Sequence, residues 1–166
     1  MTKERALQDR LFRHLQKSNK TVTRFDTIVP NVKLYKWESD LLFLGRNDTV
    51  YEFEIKTSIS DLRADFKNKI KKHNAMRLRA GQTPNYFYMV IPHEILEKAD
   101  IPNYYGVILY NDSSIKTYRH ATQMHTTKIK VYDKLKLAKA LYYKYWKERL
   151  DDGEIFNIRN NKGRKH

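Results

Sequence analysis

The chain contains no cysteine. Disulfides and cysteine-ligated zinc are therefore excluded. Its six histidines stand at 14, 73, 93, 120, 125 and 166, and none has the HExxH spacing of a zinc-binding helix. A metal site would have to rest mainly on carboxylates and backbone oxygens, which suit hard cations such as Mg²⁺. Acid is scarce, with 19 Asp+Glu against 33 Lys+Arg and a net charge of +14. A surface that basic points to a polyanionic partner, because each lysine or arginine near a phosphate releases condensed counterions. Nucleic acid leads. No long apolar run or signal-like N-terminus speaks for a membrane, so none is expected as a partner, and the expected location is the cytoplasm of a bacterium or phage-infected host. The Lys-, Asn- and Tyr-rich composition suits an AT-rich genome such as a phage's.

What is present suffices for one ordinary folded domain: 166 residues, 40% hydrophobic and 13% aromatic. No internal repeat is visible. Leu7, Leu11 and Leu15, widened by Phe12, predict a helix over 3–17. Val22, Phe25, Ile28 and Val29 suggest a strand over 21–29, interrupted by Pro30 and Asn31. Residues 39–44 and 49–56 read as a hairpin around Gly45-Arg46-Asn47-Asp48. In its second strand Tyr51, Phe53 and Ile55 share one face, and Glu52, Glu54 and Lys56 the other. A long helix is expected over about 60–79, its apolar stripe Ile59, Leu62, Phe66 and Ile70, closed by Gly81. Ser58 or Ser60 can cap it, and Asp61 suits its N-terminal end. Residues 86–91 suit a buried strand, 93–99 a short helix, 105–110 and 114–119 two strands, and 132–150 a C-terminal helix. Tyr142, Tyr143 and Tyr145 in that helix are expected in the core or lining a groove. The order predicts an α/β fold, a mixed sheet flanked by helices, as one domain over 1–156 with a basic tail over 157–166. Arg159, Lys162, Arg164 and Lys165 in that tail could hold phosphates without reading sequence.

Asp40 opens one hairpin strand, and Glu54 and Lys56 close the other. In antiparallel strands these are the same end, and Glu54 and Lys56 leave the same face. Two carboxylates beside an ammonium suit phosphodiester hydrolysis. The carboxylates can hold a divalent ion that activates water, the lysine can position that water or stabilise developing charge, and the Ile55 carbonyl can add a ligand. The pattern acid-x-Lys recurs at Asp65–Lys67, but there it falls in a helical stretch, where residues two apart face apart. The bland alternative is a solvated strand face. Glu38 and Glu52 share the faces of Asp40 and Glu54 and are rival ligands.

Asp40, thirteen residues, then Glu54-x-Lys56 resembles the active-site signature of the PD-(D/E)XK nuclease superfamily, with Ser39 where the name has proline. The block Glu54-Ile-Lys-Thr-Ser-Ile-Ser-Asp-Leu-Arg-Ala-Asp-Phe-Lys67 further resembles the MmcB-like family of DNA-repair nucleases and related phage-type proteins. The stretches Tyr86–Pro92 and Tyr105–Ile108 are also similar, so the resemblance spans roughly residues 38–110. It implies a restriction-endonuclease-like core. It implies Asp40 and Glu54 as metal ligands, with Ile55 beside them, and Lys56 as the catalytic lysine. A first-helix glutamate often adds a ligand, and Glu4 is the glutamate of that helix, though the helix dipole alone would favour an acid there. Lys71, Lys72 and His73 resemble a basic cluster found after this helix in related sequences; with Lys67 they could contact phosphate, and a solvated face is the plain alternative.

The expected function is a Mg²⁺-dependent deoxyribonuclease, with Mn²⁺ able to substitute and DNA as partner, in repair, recombination or phage DNA metabolism. A homodimer would suit double-strand cleavage by a single-site enzyme. Two alternatives stand beside it: a non-catalytic DNA-binding or recruitment module on the same fold, and an RNA-directed nuclease.

Overall fold

The computed structural model describes residues 3–18, 27–45 and 47–150. The order is α1 (Lys3–Ser18), β1 (Thr27–Val32), β2 (Ser39–Leu44), β3 (Val50–Ile55), α2 (Ile59–Asn68), α3 (Ile70–Arg77), β4 (Tyr86–Pro92), a 3₁₀ helix (His93–Lys98), β5 (Gly106–Tyr110), β6 (Ile115–Arg119) and α4 (Val131–Arg149). The six strands form one sheet in chain order. β1, β2 and β3 run antiparallel in turn, β4 joins β3 in parallel, β5 joins β4 in parallel, and β6 returns antiparallel. The parallel step from β3 to β4 needs a crossover, which α2 and α3 provide. This is an α/β fold with a mixed sheet flanked by helices, as the sequence predicts.

Side-chain alternation assigns the faces. Leu7 and Leu11 of α1 bury against Leu41, Phe43, Phe53, Ile55, Val90 and Ile108. On the opposite face Leu62 of α2 and Met76 of α3 pack with Phe87, Met89, Ile91, Val107 and Leu109. Further along that face Leu137 of α4 meets Val29, Leu42 and Val50. Each such aliphatic side chain removed from water contributes about 1.5–3 kcal/mol. Between these last two clusters the same face of β3 carries Glu52 and Glu54, both fully buried.

Three expectations need correction. The helix expected over 60–79 is two helices, broken at Lys69, whose backbone (φ −104°, ψ 35°) leaves the helical region. Pro30 and Asn31 do not end the first strand but lie inside it. An edge strand tolerates both the missing N–H and the left-handed Asn31, at φ 48°. Tyr142, Tyr143 and Tyr145 are exposed, not core, because α4 buries only Leu137. Residues 21–26 of the first expected strand and the basic tail over 157–166 lie outside the described residues.

Among the described residues, no helix is long and apolar enough to cross a membrane.

Candidate active site

The site begins with a fault in the β1–β2 ladder. Pro30 pairs with Leu41 and Val32 with Ser39, but Asn31 and Asp40 between them do not pair. Left-handed Asn31 turns out of register, and Gln8 of α1 fills the break. Its amide donates to Asn31 Oδ1 and to the Asp40 carbonyl, both at 2.9 Å. Asp40 is thereby fixed at the start of β2, and its Oδ2 accepts the Ile55 N–H at 2.6 Å. The β2–β3 register, with Leu41 opposite Phe53, brings Asp40 opposite Glu54 on the face covered by α2 and α3. Burial, and next the charge of Glu54, push the Asp40 carboxyl up to about 6.

Glu54 is enclosed by ammonium groups. Lys56 Nζ reaches Oε1 at 2.9 Å, Lys69 Nζ donates to the same oxygen, and Lys72 Nζ reaches Oε2 at 2.7 Å. Lys72 also pairs with Glu52 at 2.7 Å. Glu52 accepts the Trp37 indole N–H on both oxygens, at 2.9 and 3.0 Å. Asp65 of α2 completes the cluster. Its Oδ1 lies 2.9 Å from both Lys56 and Lys69, and its Oδ2 meets His73 Nε2 at 2.8 Å. The other His73 nitrogen meets the Tyr105 hydroxyl at 2.8 Å. Burial alone would lower the three lysines, but Glu54 with Asp65 or Glu52 outweighs it and holds all three above the ordinary lysine range. Burial would raise Asp65, yet His73, Lys69 and Lys56 hold it well below the carboxylate range. Three buried acids thus meet three ammonium groups, the arrangement that makes interior charge tolerable.

Ser58 caps α2 by accepting the Asp61 N–H at 3.1 Å, and Asp61 accepts the Thr57 N–H at 3.1 Å. This reciprocal cap starts the helix directly after β3 and aims Asp65 back at Lys56.

Asp40, Glu54 and Lys56 therefore come together as the sequence implies. Lys72 and His73 do not lie on an exposed basic face. Both are buried, Lys72 between two carboxylates and His73 between Asp65 and Tyr105. Lys67 and Lys71 are exposed. Glu4 is exposed at the start of α1 and lines a crevice with Arg5, Asp9, Lys147 and Glu148. The α1 residue that touches Asp40 is Gln8 instead. Sequence reasoning misses Asp65 and Lys69 as members of the site. Their signal is helical spacing, since Asp65, Lys69, Lys72 and His73 fall at i, i+4, i+7 and i+8 on one face.

Among the described residues, no group of three or more His, Cys, Asp or Glu side chains could hold a metal ion. Asp40 and Glu54 are the two carboxylates of the site that could face a cation together. That number fits Mg²⁺, which keeps several waters and takes one or two carboxylates beside substrate phosphates. Lys69, with its side chain 38% exposed, is the most open of the three ammonium groups on Glu54.

No family model matches the chain, and no curated protein matches it. Among solved structures it is similar to the SPO1766 protein of unknown function from Silicibacter pomeroyi. The TM-score is 0.61 at 16% sequence identity, over 99% of this chain and 97% of that one. A likeness at that identity is one of fold.

Proposed function

We propose that the chain is a metal-dependent nuclease that hydrolyses phosphodiester bonds in DNA, built on a restriction-endonuclease-like core. The observation that carries this reading is the meeting of Asp40 and Glu54 on adjacent antiparallel strands, with Lys56 Nζ 2.9 Å from Glu54. The net charge of +14 supports a polyanionic substrate.

Asp40 and Glu54 would hold the cation, with the Ile55 carbonyl beside them. A bound Mg²⁺ would polarise the phosphoryl oxygen and help ionise the attacking water. The chain's own groups do the rest. The Ile55 N–H orients Asp40, and Asp65 gives the Lys56 ammonium a second anchor besides Glu54. Lys56 then offers fixed positive charge to the phosphoryl oxygens as negative charge develops there.

The test is cleavage of labelled linear, circular and single-stranded DNA with Mg²⁺, Mn²⁺ or EDTA. Wild type should cut only with metal, and Lys56→Ala should lose cleavage while still binding DNA. Cutting by Lys56→Ala at the wild-type rate would show the site to be wrong.

A second reading is a non-catalytic DNA-binding module. The observation favouring it is that both Glu54 oxygens are already held by lysines. Calorimetric titration with Mn²⁺ separates the two: the module binds no ion that depends on Asp40 and Glu54.

A further inference from the structure

Beside the acid cluster lies a groove of about 750 Å³. That is within the range of about 300–1,000 Å³ typical of sites for small organic ligands. One wall is aromatic: Tyr35 and Trp37, half-buried, with ring centroids 5.5 Å apart. Glu52 accepts the Trp37 indole N–H on both oxygens and so orients that ring. The rim is basic. Six lysines line the groove against one acid, Asp133, and Lys36, Lys71, Lys128 and Lys130 among them are exposed. Lys69 and Lys72 are among the six, and both also touch Glu54, so the groove is linked to the acid cluster through Glu54.

We propose that this groove takes one unstacked nucleotide of a single DNA strand, its base against Tyr35 and Trp37 and its phosphates on the exposed lysines. The inference rests on the reading of the chain as acting on DNA, and it adds the substrate class. An aromatic wall accepts any base face, and lysines grip the backbone without reading sequence. Stacked duplex presents neither an open base face nor a base that could enter such a groove.

The experiment uses the full chain in EDTA, so that no cutting intervenes. Trp146→Phe leaves Trp37 as the single tryptophan of the two in the sequence. A thymidine oligonucleotide and a duplex of equal length are titrated against its emission. The single strand should quench Trp37. Ala75→Leu, which extends a groove-lining side chain, should weaken single-strand binding about tenfold. Lys128→Glu, an exposed position, should weaken it as well and guards against a folding defect in the first variant. Single-strand binding without a change in Trp37 emission overturns the proposal. So does quenching by duplex as strong as by single strand, or wild-type binding by both variants. Metal-dependent cutting with no Trp37 response would remove the groove and leave the nuclease; quenching by a protein that never cuts would do the reverse.

Discussion

Lys56, just past the end of β3, and Asp65 of α2 are joined at 2.9 Å, and the same ammonium lies 2.9 Å from Glu54. The pair ties the crossover helix to the strand that carries the candidate site. Asp65→Asn would leave Lys56, Lys69 and His73 short of a buried anion. It should destabilise the fold by about 3–5 kcal/mol, read as a lower urea midpoint. Arg63→Ala, exposed on the same helix, should stay within about 0.5 kcal/mol of wild type. Equal midpoints for the two variants would mean that the buried pair contributes nothing.

Asp40 predicts a pH dependence. Its carboxyl is pushed up to about 6, first by burial and then by Glu54. The folded chain therefore holds this proton more tightly than the unfolded chain. The stability it brings is full below about pH 4 and is lost as pH rises through about 6. Asn at this position mimics the protonated acid and can still accept the Ile55 N–H. Asp40→Asn should be more stable than wild type by about 1–3 kcal/mol at pH 7.5 and no more stable at about pH 4. Urea melts at the two pH values check this, and a gain that is the same at both would contradict it.

Under the proposed function, added Mn²⁺ should raise the melting temperature of wild type at about pH 7.5 and leave Asp40→Asn unmoved, because the ion binds only the folded, charged acid pair. A shift of equal size in both proteins would place the ion elsewhere.

Asn85 holds one wall of the groove. Its Oδ1 accepts the Val50 N–H at 2.7 Å, and its amide donates to the His125 and Thr127 carbonyls, both at 2.9 Å. Asn85→Ala leaves these three partners without their bonds and should cost about 2–4 kcal/mol, with faster amide exchange at Val50. Unchanged exchange there would refute the role.

Gly106 begins β5 where a Cβ would lie 2.2 Å from the Tyr88 ring and 2.9 Å from the Ala121 nitrogen. Gly106→Ala should therefore lose about 1–3 kcal/mol through overpacking, measured by thermal melts. Wild-type stability would mean that Tyr88 moves aside freely.

The hairpin and its acid pair are legible in the sequence because period-two alternation fixes which side chains share a face, and the turn fixes the register. The N-terminal helix is legible from its leucine spacing. The break at Lys69 is not, because Asn68-Lys69-Ile70 contains neither glycine nor proline; it coincides with the place where the Lys69 ammonium pairs with Glu54 and Asp65. Lys72 and His73 mislead because their partners Glu52, Glu54 and Tyr105 are distant in sequence. A basic run looks like a solvated face until the strand acids that neutralise it are known to lie beneath. Tyr35 and Trp37 carry no periodic signal, so only the fold reveals that they share a wall.

The outermost strand has a further consequence. Pro30 offers no N–H, and left-handed Asn31 interrupts the extended run beside it. A strand arriving from another molecule would find a broken template at that rim. At the opposite rim β6 carries the exposed Lys116, and His14 of α1 lies against the same strand, 3.3 Å from Thr117 Oγ1. Both borders of the sheet are thus poor seeds for ribbon growth between copies of the chain.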